Sequence, residues 1–581
     1  MKKIASTIAT VWRLSVPYFR SEDRWPGRIL LAAVIAMELT LVAVNVILNL
    51  WYNRFYNALQ DRNWNAFISL ILFFCALAAI YIVLAVYKTY LNQWLQIRWR
   101  RWMTQTYLQQ WLNAANHYRM QLLGDAADNP DQRIAEDVKS FIDNALQITI
   151  GILSSVVSFC SFVVILWGLS EKSPLHFFNG QFGIPGYLVW AALIYAALGT
   201  LLTHLIGWRL IPLNFQQQRF EADFRFNLVR TRENSEQIAA LGGDTAERDG
   251  HLRRFQPVIV NWLAIMQRTK LVNFFAAGYS QVSVIFPVLV VSPAYFAGAM
   301  QLGDLMQTAS AFDSVQKALS YFVSNYQSMA EWRAVIDRLS GFDRSIETSR
   351  AVAVTPPSVQ VMQRGGAPFA AERLDVRLPD GEPIVAADRI EFGPGDRVLI
   401  TGPSGSGKST LFRAIAGIWP FGSGRVHVPA GAKIMLIPQR PYFPLASLAA
   451  AVSYPASAGT FDDARVAEAV AAVGLSELLP RLHEEEHWNR MLSLGEQQRL
   501  AIARALLHAP DYLFLDEATA SLDEAAEAAL YRLLQERLKG ATIVSIGHRS
   551  TLGAFHGRRI ELVPEATVYR VRDVTLPSAA E

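Results

Sequence analysis

Long apolar runs dominate the first part of the chain. They recur six times before about residue 330, and each approaches the roughly 20 residues that a helix needs to cross a bilayer. We place the spans at residues 28–50, 67–91, 142–169, 187–207, 278–300 and 306–329. The sixth span is the least hydrophobic of the set. This pattern predicts an α-helical domain with six transmembrane helices.

The distribution of basic residues predicts the orientation of these spans. Lys and Arg concentrate before span one, between spans two and three, and after span four. The alternate loops, at 51–66, 170–186 and 301–305, are short and carry few basic residues. Because loops rich in Lys and Arg stay in the cytoplasm, we expect both termini on the cytoplasmic side of a cell (inner) membrane.

Composition supports a lipid-embedded chain. Hydrophobic residues make up 52% and charged residues 18% of the sequence, against about a quarter charged in a soluble domain. The net charge of +4 is a mild basicity that suits loops facing anionic lipid. It does not suit a nucleic-acid binder, which carries a clustered basic face. The only two cysteines, Cys75 and Cys160, lie in apolar runs and exclude a disulfide framework.

The chain changes character after the sixth span. Residues 355–368 are rich in Pro and Gly, so we predict a linker at 343–372. Residues 373–581 alternate short apolar strands with amphipathic helices, which is typical of an α/β domain. We therefore divide the chain into a membrane domain at 1–342, the linker, and a soluble domain at 373–581.

A glycine-rich loop in the soluble domain has the pattern of a phosphate-binding loop. It follows the apolar strand 397–401, precedes a helical pattern, and fits G-x-x-x-x-G-K-[ST]. Its residues are Gly402, Pro403, Ser404, Gly405, Ser406, Gly407, Lys408, Ser409 and Thr410. Backbone N–H groups and the following helix N-terminus would hold the phosphates, with Lys408 on the β- and γ-phosphates and Ser409 on Mg²⁺. The loop predicts an ATP site.

Two carboxylates follow about a hundred residues later. The apolar strand 512–516 ends in Asp516, and Glu517 comes directly after it. Asp516 suits Mg²⁺ coordination, and Glu517 is placed to polarise a water that attacks the γ-phosphate. Downstream of a phosphate loop, this pair predicts ATP hydrolysis.

Further motifs resemble those of ABC ATPases. The resemblance gives Gln439 a role in sensing Mg²⁺ and the attacking water, and His548 a contact with the γ-phosphate. The residues that resemble the family's signature motif are Leu492, Ser493, Leu494, Gly495, Glu496 and Gln497. Those that resemble its D-loop are Ser521, Leu522 and Asp523. In this family the signature of one subunit contacts ATP held by another subunit.

Two positions depart from the general family pattern. The signature has Leu494 and Glu496 where most ABC proteins have glycine and glutamine. Where an adenine-stacking aromatic usually lies, the chain has Leu378, which would cover the base by apolar contact only. Phosphate binding is therefore better specified than base selectivity.

The membrane half resembles exporter-type (type IV) ABC membrane domains. Segments 128–137, 221–225, 230–236 and 492–499 are similar to ABC subfamily D, the peroxisomal fatty-acyl-CoA transporters, and to bacterial SbmA/BacA-like proteins that carry an ATPase. Segments 49–60 and 302–312 favour the bacterial group. That group includes importers of peptides, glycopeptide antibiotics and corrinoids, so the resemblance implies uptake of bulky hydrophilic solutes.

Polar residues on two spans point in the same direction. In span six they recur every three or four residues, and in span one they share a face. We predict a water-filled cavity lined by Glu38, Asn45, Asn49, Ser310, Asp313, Ser314, Lys317, Tyr321 and Ser324. Asp313 and Lys317 are spaced for an ion pair. The alternative is hydrogen bonding between helices without solute contact.

These features predict a transporter in the lipid bilayer that uses ATP and Mg²⁺ and binds no nucleic acid. Each chain carries one phosphate loop and one signature, so we expect a homodimer formed through both the membrane and ATPase domains. One alternative is an exporter or flippase of lipid or acyl-CoA, whose cavity should be apolar. A second is an ATP-gated channel or regulatory ATPase, against which the intact catalytic residues argue.

Overall fold

The computed structural model describes residues 2–124, 129–172, 184–365, 368–565 and 567–574. Asp128 of the segment 128–137 and residues 173–183 of the loop 170–186 lie outside the described residues. The chain divides into two compact units. Unit 1 comprises Met1–Tyr107 and Pro130–Gly341, and unit 2 comprises Leu108–Asn129 and Phe342–Glu581.

Unit 1 is helical. Its helices are α1 (Lys2–Ser15), α2 (Arg24–Gln60), α3 (Trp64–Leu112), α5 (Pro130–Gln132), α6 (Val138–Lys172), α7 (Tyr187–Gly207), α8 (Leu210–Glu233), α9 (Ser235–Ala240), α10 (Asp244–Phe296), α11 (Leu302–Ser324) and α12 (Tyr326–Val354). The ends of α3 and α12 continue into unit 2, and α4 (Asn116–Leu122) belongs to unit 2. A π-helical turn, Arg133–Asp137, joins α5 to α6. Each predicted span falls within one of the long helices or overlaps its end.

Five described helical segments are long and apolar enough to cross a membrane. They contain predicted spans one to four and most of span five. Helix α11, which begins the predicted sixth span, is not among the five, because its polar side chains lower its hydropathy. The long helices extend well beyond several predicted spans; α3 runs for 49 residues and α10 for 53.

The core of unit 1 forms where α6, α7, α10 and α11 meet. Phe162, Leu166, Ala192, Val291 and Phe312 are buried together there. Large apolar side chains on α3, by contrast, are widely exposed, with Leu72 at 66% and Val86 at 61%. Such an apolar outer face is what a helix presents to lipid rather than to water.

Unit 2 is built on a ten-stranded sheet. The strands are β1 (Val359–Arg364), β2 (Phe369–Arg377), β3 (Pro383–Phe392), β4 (Arg397–Thr401), β5 (Gly422–Pro429), β6 (Ile434–Ile437), β9 (Tyr512–Asp516), β10 (Thr542–Ile546), β11 (Arg558–Glu565) and β12 (Val568–Val574), with a separate pair β7 (Ala446–Ser447) and β8 (Glu485–Glu486). Their order is β1-β5-β2-β3-β12-β11-β4-β10-β9-β6. Strands β4, β10, β9 and β6 are mutually parallel and carry the site described below.

Besides α4 and the ends of α3 and α12, the described part of unit 2 has six further α-helices. They are α13 (Lys408–Ile415), α14 (Leu448–Ser453), α15 (Asp463–Ala472), α16 (Trp488–Met491), α17 (Leu494–His508) and α18 (Glu524–Arg537). Two apolar clusters form, one of them around Leu513, Leu515 and Ile543 and the other around Phe369 and Phe514. The near-continuous burial of β9 and β10 is typical of parallel strands covered on both faces.

Two segments outside the predicted soluble domain 373–581 contribute ordered structure to unit 2. Tyr118, Leu122 and Leu123, at and after α4, pack against the cluster that contains Phe369. Residues 343–372, predicted as a linker, include the end of α12 at Val354, all of β1 and the start of β2. Regular structure therefore occupies much of this segment.

Candidate active site

The phosphate loop connects β4 to α13, as its sequence pattern requires. Three of its glycines have positive φ angles: +153° at Gly402, +78° at Gly405 and +85° at Gly407. A Cβ atom at Gly407 would lie 2.5 Å from Cγ2 of Ile384. Glycine is needed there both for the backbone conformation and for the close approach of β3.

The interior of this loop is polar and ready for an anion. Lys408 is only 6% exposed, and its Nζ donates hydrogen bonds to the carbonyl oxygens of Gly402 (3.0 Å) and Pro403 (2.8 Å). Burial lowers the pKa of Lys408, while the charges of Glu517 and Asp516 oppose that shift. The Oγ of Ser406 is buried and has no hydrogen-bond partner among the described residues. Phosphate oxygens would satisfy both groups.

Ser409 and Asp516 form the oxygen pair that the sequence assigns to Mg²⁺. The Oγ of Ser409 donates to Oδ1 of Asp516 at 2.8 Å. Burial raises the pKa of Asp516, and this hydrogen bond acts against the increase. A half-buried carboxylate beside a hydroxyl suits a hard cation that prefers oxygen ligands. The residues present therefore fit a magnesium ion held jointly with the nucleotide.

Glu517 lies at the centre of the predicted catalytic group. Its Oε2 accepts a hydrogen bond from Nε2 of Gln439 at 3.1 Å, and its Oε1 lies 3.2 Å from Nε2 of His548. The backbone of Glu517 has φ of +51°, an uncommon conformation for a residue with a side chain. The structure thus brings together three side chains that are up to 109 positions apart, as the numbering shows.

Gln498 is a functional candidate that the sequence interpretation missed. It is 1% exposed, its Nε2 donates to the carbonyl oxygen of Gln439, and its Oε1 accepts from the backbone N–H of Ser521, each at 3.0 Å. One carboxamide therefore ties the Gln439 loop to the D-loop. The signal in the sequence was its position beside Gln497 in the segment 492–499.

The signature lies at the start of α17. Ser493 is the N-cap, and Glu496 completes a capping box in which Oε2 of Glu496 accepts from the backbone N–H (2.8 Å) and Oγ (2.7 Å) of Ser493. These hydrogen bonds lower the pKa of Glu496. Glu496 therefore fixes the start of α17. The capping box also means that the Ser493 hydroxyl must leave Glu496 before it can donate to a phosphate.

The remaining signature and D-loop residues pack on one another. A Cβ at Gly495 would lie 3.3 Å from Cδ2 of Leu522, which is 7% exposed. Asp523 is the N-cap of α18 and accepts from the backbone N–H of Ala526 at 2.7 Å. Leu494 begins α17, and Gln497 donates to the carbonyl oxygen of Leu492 at 2.8 Å.

Leu378 follows β2 in a tight turn. Its backbone N–H donates to the carbonyl oxygen of Glu382 at 2.8 Å, and its half-buried side chain packs beside the cluster that contains Phe369. The neighbouring Arg377 donates to Asp375 and to the carbonyl oxygen of Gly381. Adenine contact by Leu378 stays a prediction.

The predicted cavity residues of the membrane half occupy three environments. Glu38 is half-buried and forms an ion pair with Lys88 at 2.7 Å. Glu38, Lys88 and Tyr321 all line one cavity of the membrane unit. Asp313 and Lys317 form the pair that their spacing predicts, also at 2.7 Å. Asn45 and Ser324 are exposed, and Ser310 and Ser314 are half-buried, with Oγ of Ser314 donating to the Ser310 carbonyl oxygen.

Asn49 differs from the cavity prediction. It is 1% exposed, and it exchanges hydrogen bonds with Gln307 through Nδ2 to the Gln307 carbonyl oxygen (3.1 Å) and Oδ1 from Nε2 (3.2 Å). The next polar residues of α2 continue the contact, with Asn53 donating to Asp304 and Asn57 accepting from the Gly303 backbone. We call the set Asn49, Asn53, Asn57, Asp304 and Gln307 the polar seam. Because it joins α2 to α11, the interhelical alternative describes Asn49.

Comparison with known proteins gives separate matches for the N-terminal and the C-terminal part of the chain. Residues 14–296 match the model of the ABC transporter transmembrane region 2, and residues 387–520 match that of the ABC transporter ATPase. The inner membrane ABC transporter ATP-binding protein YddA of Escherichia coli is 33% identical over 93% of this chain and 95% of its own. The mouse lysosomal cobalamin transporter ABCD4 is 25% identical over 95% of this chain and 94% of its own.

A solved structure shares the fold. A bacterial Atm1-family ABC exporter with ATP bound superposes with a TM-score of 0.74, at 18% identity, over 93% of this chain and 94% of that one. This likeness concerns the fold alone. Together with the two matched regions and the phosphate-loop geometry, it leads to one conclusion: the chain belongs to the ABC transporters, as a membrane region fused to an ABC ATPase domain, with relatives in subfamily D.

Proposed function

We propose that two copies of the chain form an importer of bulky hydrophilic solutes such as peptides, glycopeptides or corrinoids. Transport driven by hydrolysis of ATP with Mg²⁺ is the shared activity of its family. The observation that carries the finer proposal is the Glu38–Lys88 ion pair inside the helix bundle of the membrane unit. Charged groups are costly at membrane depth unless they face water, a partner or a polar solute.

The ATPase residues divide the work of hydrolysis. Lys408 and the backbone of the phosphate loop bind and orient the phosphates, and Ser409 and Asp516 would hold Mg²⁺, which would neutralise charge on the phosphate oxygens. Glu517 accepts the proton of the attacking water, while Gln439 and His548 keep its two carboxylate oxygens in place. Their distances of 3.1 and 3.2 Å from Glu517 are suited to that positioning.

The second copy completes each ATP site. One chain has one phosphate loop and one signature, and the signature begins α17 with backbone N–H groups at a helix N-terminus. Such an end attracts phosphate. Closure of two ATPase units would bring Ser493 and Gly495 of one copy to the ATP of the other. The basic loops that the sequence predicts on the cytoplasmic side support a cytoplasmic position for the ATPase unit, at a cell membrane.

An exporter or flippase of lipid or acyl-CoA is the nearest alternative. Its binding region should be apolar, whereas Glu38, Lys88 and the exposed Lys317 give this membrane unit ionised groups. Import of hydrophilic solutes accounts for these groups without further assumptions. The mouse relative, named as a cobalamin transporter, supports a solute of this kind.

Uptake by whole cells tests the proposal. Bacteria lacking peptide uptake would express the wild-type chain or Glu517→Gln and receive a labelled hydrophilic peptide or cyanocobalamin. We expect accumulation with the wild type and none above background with the variant. Equal accumulation in both strains, or label driven out of preloaded wild-type cells, would contradict ATP-driven import.

A further inference from the structure

A polar cavity lies among four helices of the membrane unit. It has a volume of about 520 Å³ and is lined by residues of α2, α3, α6 and α11. The cavity lies at the ends of spans two, three and six that the charge pattern predicts to face the cytoplasm. Only Glu38 and Tyr321 of its lining were anticipated from sequence, so most of its chemistry comes from the tertiary structure.

One wall of the cavity forms where α6 leaves room for a side chain of α11. A Cβ at Gly151 of α6 would lie 2.0 Å from Oη of Tyr321, so only glycine admits the Tyr321 ring at this place. The Tyr321 hydroxyl donates to the carbonyl oxygen of Gln147 at 3.3 Å. The tyrosine therefore forms a fixed wall, and α3 provides the opposite wall.

Polar side chains with unused hydrogen-bonding capacity line this space. Asn92, Gln96 and Gln147 make no side-chain hydrogen bond, and Asp143 makes neither hydrogen bond nor ion pair, with any residue in the described part of the chain. The Oδ1 of Asn92 is buried as well as unpartnered. Leaving this buried atom without a partner costs about 1–3 kcal/mol, so a ligand or ordered water that meets it is favoured. Gln96 and Asp143 are half-buried and Gln147 is exposed, so their polar atoms are accessible to a ligand that enters the cavity.

Charge in the cavity is mixed. Glu38 and Lys88 neutralise each other, and the charges of Lys139 and Arg100 act on Asp143 from nearby. A solute with a large net charge gains little from such walls. Carboxamides offer a donor and an acceptor side by side, which is the pattern that complements another amide group.

We propose that this cavity is a binding subsite for amide groups of the transported solute, formed by Asn92, Gln96 and Gln147 with Asp143 beside them. The chemistry is shared by peptides, through their backbone, and by corrinoids, through the carboxamide side chains of the macrocycle. The volume accommodates a part of such a solute rather than all of it. This inference rests on the proposed function and specifies the chemistry of its solute.

The helix α3 supplies a matched pair of variants. Gln96 lines the cavity, and Gln93, one turn away on the same helix, is exposed and does not line it. The full-length dimer in lipid nanodiscs would be tested with three probes: a labelled octapeptide of alternating glycine and serine, cyanocobalamin, and palmitoyl-CoA. Dissociation constants would be measured for the wild type, Gln96→Leu, Gln96→Asn, Asn92→Leu and Gln93→Leu, with melting temperatures to check folding.

We expect Gln96→Leu and Asn92→Leu to weaken binding of one amide-rich probe by about tenfold, the effect of losing one well-formed hydrogen bond. Gln93→Leu should bind as the wild type does, and Gln96→Asn should retain part of the affinity. The probe that responds, peptide or cyanocobalamin, identifies the source of the amide groups.

Other outcomes overturn the inference. If the wild type binds an amide-rich probe but Gln96→Leu and Asn92→Leu bind it equally well at unchanged melting temperature, the subsite is wrong and the proposed function stands. If the wild type binds palmitoyl-CoA and neither amide-rich probe, both the subsite and the proposed solute class are wrong. If Gln93→Leu weakens binding as much as Gln96→Leu, the effect belongs to α3 as a whole and not to this cavity.

Discussion

Polar contacts between residues that are far apart in sequence have different roles in the two units. In the ATPase unit, Ser409 and Asp516 are 107 residues apart and meet at 2.8 Å, on a loop and at the end of a strand. In the membrane unit, Asn49 and Gln307 are 258 residues apart and meet at 3.1 Å on the flanks of two helices. The first pair leaves oxygen lone pairs that a cation could use. In the second pair, the side-chain amides satisfy each other's hydrogen-bonding groups between the two helices. Loop and strand ends thus present chemistry to a ligand, and helix flanks first of all join helices.

The largest expected effect tests the ATPase side of this comparison. Glu517→Gln should reduce ATP hydrolysis by about 10²–10⁴-fold, the usual contribution of a positioned general base. ATP binding should persist, because Lys408 and the loop backbone are unchanged. Phosphate release measures the first effect, and the ATP-induced rise in melting temperature measures the second. Glu536→Gln, on the exposed face of α18, is the control; a similar loss there would remove the special role of Glu517.

A second experiment separates backbone strain from steric conflict in the phosphate loop. Ala at Gly407 or Gly405 adds about 1–2 kcal/mol of strain, since both have positive φ. At Gly407 the Cβ also meets Ile384, which adds about 1–3 kcal/mol, while Gly405 has open space around it. Without nucleotide, Gly407→Ala should therefore lower the melting temperature more than Gly405→Ala. Equal decreases would mean that β3 moves aside freely.

A third experiment tests whether a buried ion pair stabilises the packing of helices in the membrane unit. Asp137, in the π-helical turn, is 3% exposed and accepts from Arg133 (2.7 Å) and from Nε (2.9 Å) and Nη2 (2.6 Å) of Arg338 on α12. Asp137→Asn should destabilise the protein by about 2 kcal/mol, below the usual 3–5 kcal/mol for a buried pair because Arg338 is 40% exposed. Asp131→Asn, exposed in the preceding turn, should have no effect on the melting temperature.

A fourth experiment addresses the polar seam directly. Asn49→Leu should cost about 1 kcal/mol of stability, within the range measured for hydrogen bonds between membrane helices. Asn45→Leu, at an exposed position of the same helix, should leave stability unchanged. If Asn49→Leu instead abolishes solute uptake at an unchanged melting temperature, Asn49 contacts solute and the contrast between the two units fails.

The smallest expected effect concerns pH. The pKa of Glu496 is lowered by hydrogen bonds from Ser493, so its stabilising contribution is present above the ordinary carboxyl pKa of about 4.3 and is lost as pH falls through the lowered value. The melting-temperature difference between wild type and Glu496→Gln should therefore shrink below about pH 4. A difference that is constant across this range would show that the capping box does not depend on the charge.

Particular residues show how far sequence interpretation reached. The phosphate loop lies between β4 and α13 as predicted, because its glycines and its flanking strand and helix are specified within a few residues. Gln498 was missed, although it belongs to a quoted motif, because its importance comes from two backbone groups in distant loops. Lys88 was missed because a lone lysine at the end of a hydrophobic run has no local pattern that indicates its partner Glu38.

Sequence alone determined the family and the polar faces and predicted the spans, since each depends on local spacing, helical or strand periodicity and hydropathy. It could not decide what a polar face contacts. The polar seam and the amide-lined cavity both involve polar residues of α2 and α11, and the cavity adds the amide side chains of α3 and α6. What a polar residue contacts is a property of the assembled bundle: a Cβ at Gly303 would meet the backbone oxygen of Asn53 in the seam, and one at Gly151 would meet the hydroxyl of Tyr321 at the cavity. For that reason only the tertiary structure separated the residues that join helices from those that are free to meet a solute.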